Sequence, residues 1–78
     1  MSQKLKDFLR AAPPEVRVQV ATTAGTTVAY LYQLAGGHRT NPGVDIALGI
    51  ERATAVLHAA DPTIPLVRVE DLVKPDAP

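Results

Sequence analysis

Proline and glycine divide this chain into short segments, and within each segment the apolar residues recur at helical spacing. The division points are Pro13-Pro14, Gly25, Gly36-Gly37, Asn41-Pro42 and Asp61-Pro62. The pattern predicts an all-α fold, a bundle of four to five short helices. Leu5, Phe8 and Leu9 follow Ser2, a good N-cap residue, and place a first helix from about Gln3 to Ala11. Pro13 and Pro14 end it and suit the first turn of a second helix, where the absent N–H has no helical partner to lose. Glu15 faces the positive end of that helix dipole, and Val16, Val20, Ala21 and Ala24 form its apolar stripe. Gly25 supplies the left-handed residue that closes the helix. Thr27 then caps a third helix with Leu31 and Leu34 inward, ended by Gly36-Gly37.

After the polar loop His38-Arg39-Thr40, Asn41 as cap and Pro42 at the first turn predict a fourth helix. Ile46, Ala47, Ile50, Ala53 and Leu57 lie on one side of it. Beyond Asp61-Pro62, the alternation Val67, Arg68, Val69, Glu70 predicts an extended segment or short C-terminal strand, with Pro75 to Pro78 frayed. The expectation is a single domain over 1–78, with its core at 15–36 and residues 60–78 an extended tail suited to dimerisation.

The segment from Arg17 to Gly36 carries the functional reading. Two helices that cross closely through a tight turn need a small residue in the first helix, a glycine in the turn and apolar supports in both. Ala21 is the small residue, Gly25 the turn, and Val20, Ala24, Leu31 and Leu34 the supports. These residues define a helix-turn-helix. The run from Ala24 to Leu34, followed by Gly37-His38-Arg39, resembles the Cro/CI superfamily of helix-turn-helix repressors. Within that superfamily it is most similar to the small YdaS/Cro-like phage and prophage regulators. Ile50-Glu51-Arg52-Ala53-Thr54, and Glu70-Asp71-Leu72 near Lys74-Pro75-Asp76, extend the likeness. Two positions depart from it: Thr26 replaces an aliphatic turn residue, and Ala55-Val56-Leu57-His58 replaces a glycine-rich turn. The second departure predicts a longer fourth helix.

The resemblance implies a lambda-repressor-like bundle that sets its third helix in the major groove of DNA. On the face opposite Leu31 and Leu34, Gln33 has an amide able to pair with the N6/N7 edge of adenine. Val28 and Ala29 suit thymine methyls, Tyr32 a base or a phosphate, and Thr27 a phosphate as well as its capping role. Arg17, with Arg39, Thr40 and Asn41 after the third helix, would set the duplex by phosphate contacts. The expected state is a homodimer on a pseudo-palindromic operator, with half-sites about 10 bp apart. Val67 and Val69 pairing strand to strand, or Val56 and Leu57 packing helix to helix, are the candidate dimer contacts.

Composition bounds the alternatives. A domain of 78 residues buries only about 60% of its unfolded surface, so a second chain or a ligand is the natural supplement to its core. Cysteine is absent, which excludes disulfides and thiolate metal sites and fits a reducing cytoplasm. His38 and His58 are read as surface residues, and neither a metal nor a cofactor is expected. No run approaches the ~20 apolar residues of a membrane span, so a cytoplasmic protein without membrane contact is expected. Catalysis is not expected: Ser2 is the only serine, and Gly36-Gly37 lacks the lysine of a phosphate loop.

Net charge is zero, yet unevenly placed. Residues 1–39 hold five Lys and Arg against two carboxylates, a balance of +3, and residues 40–78 hold three against six, a balance of −3. A basic half suits an anion. Zero net charge and the apolar run Val28 to Tyr32 keep a second class open: an adaptor for a phage or host protein, or a toxin or antitoxin component, on the same fold.

Overall fold

The computed structural model describes residues 3–37 and 42–73. Five helices and no strand make up the regular structure of those residues, as the punctuation predicts for an all-α bundle. Helix α1 (Gln3–Ala11) turns Leu5, Phe8 and Leu9 inward at i, i+3 and i+4. Phe8, the single phenylalanine of the chain, is wholly buried. Burying a side chain of that size stabilises the fold by roughly 1.5–3 kcal/mol.

Pro13 caps α2 (Pro14–Ala24) from an extended conformation, and its carbonyl accepts the N–H of Val16 and Arg17 at 3.0 and 3.1 Å. Val20, Ala21 and Ala24 are the buried stripe of α2. Gly25, at φ +79°, ends the helix as the local sequence predicts. The N–H of Thr26 donates to Ala21 O at 2.8 Å and that of Gly25 to Thr22 O at 3.0 Å, so two otherwise orphaned carbonyls are satisfied. The turn Gly25-Thr26-Thr27 leads directly into α3 (Val28–Gly36), whose own end is closed by Gly37 at φ +82°.

Helix α4 (Val44–Ala60) starts later than the Asn-Pro signal implies. Its N-cap is Gly43, whose carbonyl accepts from Ala47 N–H at 3.0 Å, while Pro42 is buried ahead of the helix. The predicted capping role of Asn41 falls on a residue outside the described ones. Ala47, Ile50 and Thr54 are the buried face of α4, with Ile46, Ala53 and Leu57 packed partly against the core. Gly49 lets α4 cross the end of α2 closely: a Cβ there would lie 2.7 Å from the Cα of Ala24.

The expected C-terminal strand does not form. The chain runs from Ile64 to Arg68 as a strap without regular secondary structure and then enters α5 (Val69–Val73), so the expected extended tail gives way to a helix at Val69. The strap travels back along α4, and α4 side chains take up its backbone groups turn by turn. His58 Nδ1 lies 2.7 Å from Ile64 O, so that nitrogen carries the proton. Thr54 Oγ1 accepts from Val67 N–H at 3.1 Å, and Glu51 Oε1 accepts from Val69 N–H at 2.9 Å. His58 is accordingly half-buried rather than a free surface residue. A segment whose backbone groups are already bonded to helix side chains has no need of a partner strand.

Candidate nucleic-acid interface

The α2–turn–α3 unit presents one side of α3 to solvent. Ala29, Tyr32, Gln33 and Gly36 are all exposed and follow at i, i+3, i+4 and i+7, a single stripe. Leu31, Leu34 and Ala35 are buried behind it and fix its orientation. Thr27 fastens the start of the helix, its Oγ1 accepting Tyr30 N–H at 3.2 Å. The hydroxyl is exposed and keeps its own hydrogen to donate.

Gln33, Ala29 and Tyr32 therefore share the face assigned to them, with Thr27 at its leading edge. Val28 does not join them. It is half-buried and packs against the core, because Leu31 and Ala35 follow it at i+3 and i+7 on the inward side of α3. Tyr30 is half-buried beside the core as well. Arg39, Thr40 and Asn41 lie outside the described residues.

Arg17 is held more tightly than a solvated arginine. Its Nε donates to Ala12 O at 2.9 Å, and its Nη1 donates to the Tyr32 hydroxyl at 2.9 Å. One side chain thus ties the α1–α2 corner to the exposed stripe of α3. Sequence spacing places both residues near the interface, but not in contact, because fifteen positions separate them. Two residues that no motif singles out also stand here. Lys6 and Arg10 of α1 wall a cleft against Tyr32, Ala35 and Gly36 of α3. The excess of positive charge in residues 1–39 is the available sequence signal for them.

The candidate dimer contacts divide. Val67 is wholly buried and both of its backbone groups lie against Thr54 Oγ1, so it cannot pair across a two-fold axis. Val69 is half-buried, with its N–H given to Glu51. Leu57 packs on its own core. Val56 alone of the four is open, 71% exposed on α4.

Among the described residues, no group of three His, Asp or Glu is placed to hold a metal ion. No helix among them is long and apolar enough to cross a membrane. Compared with protein-family models, curated proteins and solved structures, the chain matches none.

Proposed function

We propose that this chain is a sequence-specific regulator that binds duplex DNA, a repressor of the Cro-like kind acting as a homodimer on a pseudo-palindromic operator. The observation that carries the reading is the uncharged, exposed stripe Ala29, Tyr32, Gln33 and Gly36 on a helix fixed by a glycine turn and a threonine cap. A major groove about 12 Å wide admits a helix of roughly 10–12 Å. Ala29 and Gly36 keep the two ends of the stripe small, and Gln33 supplies paired donor and acceptor groups between them. Discrimination of about 1–3 kcal/mol at one base pair is the ordinary yield of such an amide. The likeness of the Ala24–Leu34 run to known repressors supports the same reading.

Zero net charge favours one competitor, an adaptor that meets a protein through the same face. Salt separates the two. Fluorescence anisotropy on a labelled duplex should show log Kobs falling linearly with log salt, since phosphate contacts release counterions. Binding to a protein partner that is indifferent to salt, with no duplex binding at low salt, would replace the regulator by the adaptor.

A further inference from the structure

Helices α1 and α3 meet along an open cleft of about 390 Å³, walled by Lys6, Leu9 and Arg10 on one side and Tyr32, Ala35 and Gly36 on the other. No carboxylate stands among these lining residues. Two other clefts, of about 370 and 580 Å³, follow the strap and carry Glu70 in their walls, with Glu51 in the first and Asp71 in the second. The cleft beside α3 is therefore the one of the three suited to an anion.

The tyrosine on its rim is set as a donor. The Tyr32 oxygen accepts from Arg17 Nη1, which leaves the hydroxyl hydrogen for an acceptor outside that pair. Donation from a guanidinium polarises the O–H and strengthens what it gives onward. Arg17 is itself anchored at Ala12 O, so the tyrosine is held in place rather than swinging freely.

We propose that the α1–α3 cleft binds a phosphate group, held by the Tyr32 hydroxyl and the Arg10 guanidinium, with Lys6 adding positive charge to the same wall and Arg17 positioning the tyrosine. Tyr32 and Gly36 belong to both cleft and stripe, so a backbone phosphate of a duplex lying on α3 would enter it. This source rests on the proposed function; a free phosphate offers the same chemistry and does not.

Two readouts on the full chain separate these cases. Inorganic phosphate, titrated by NMR, should shift the Gly36 amide and Tyr32 ring saturably, and Tyr32→Phe and Arg10→Gln should each weaken the response at least about fivefold, as loss of a charge-assisted bond would. On duplex, Arg10→Gln should lower the slope of log Kobs against log salt by about 0.9, the contribution of one neutralised phosphate, with the preferred sequence unchanged. Arg10 is exposed, so this variant should melt as wild type does. A lowered slope assigns the phosphate to the DNA backbone. Saturable phosphate shifts without a slope change assign it to a free anion. An unchanged slope and no saturable shift, with wild type still binding duplex, overturn the site and leave the proposed function standing. Absence of both duplex binding and phosphate shifts overturns both.

Discussion

Thr54 is the one polar side chain fully buried among the described residues, and it joins α4 to the strap. Its hydroxyl donates to Ile50 O at 2.8 Å and accepts from Val67 N–H at 3.1 Å. Thr54→Val keeps the shape but strands the Val67 N–H in the core, a loss of about 1–3 kcal/mol. Thermal unfolding should show it, with Thr54→Ser closer to wild type; equal melting of Thr54→Val and wild type would deny the bond its role. Asp61 makes a second local prediction. The Thr63 hydroxyl, at 2.7 Å, and then the Thr63 N–H, at 3.1 Å, hold its carboxyl below the usual carboxylate range. The folded pKa lies below the unfolded one, so this contribution is present above the unfolded value and is lost as pH falls through the folded one. Carboxyl NMR titration should find Asp61 low and Thr63→Ala should raise it; an ordinary value in wild type would contradict the turn. The role of Thr54 is hidden in the sequence because its partner Val67 is thirteen residues away, whereas Asp61 bonds Thr63 two residues on, within the turn that Asp61-Pro62 marks.

At the scale of elements, signals that act within one turn of chain were legible. Gly25 and Thr27 announce the end of α2 and the start of α3 because a left-handed closure and a side-chain cap involve only adjacent residues. Gly49 was not legible, since a glycine inside a helical pattern reads as a weak spot until its crossing partner is known. Its partner is Ala24, on another helix. Gly49→Ala would gain about 1 kcal/mol of helix propensity, yet the added Cβ meets backbone at 2.7 Å. Overpacking of this kind costs typically about 1–3 kcal/mol, so we expect net destabilisation in denaturant melts. Greater stability would mean that α2 and α4 separate easily. The alternation Val67 to Glu70 misled as a strand signal: Val69 and Glu70 open α5, which interrupts the expected extended tail, and only Val67 and Arg68 lie in the non-helical strap that α4 side chains bond.

For the whole molecule, the basic half of the sequence contains α1, α2 and α3, the helices that form the candidate interface, while α4 and α5 belong to the acidic half. For the proposed regulator, that division would leave the helices of the basic half for DNA and a different surface for a second copy. Val56, with Arg52, Ala55 and Ala59 exposed at helical spacing on α4, is the remaining candidate for the dimer. Val56→Glu should shift the proposed homodimer to monomer in sedimentation velocity; unchanged sedimentation of a dimeric wild type would place the interface elsewhere.

If α3 reads base sequence, selection from a random duplex pool at fixed moderate salt will reveal it. Wild type should recover a two-fold-symmetric site, and Gln33→Ala should relax one position in each half-site while keeping the rest. Recovery of no motif by wild type would mean that α3 does not read sequence, and recovery of an identical motif by Gln33→Ala would remove Gln33 from the reading.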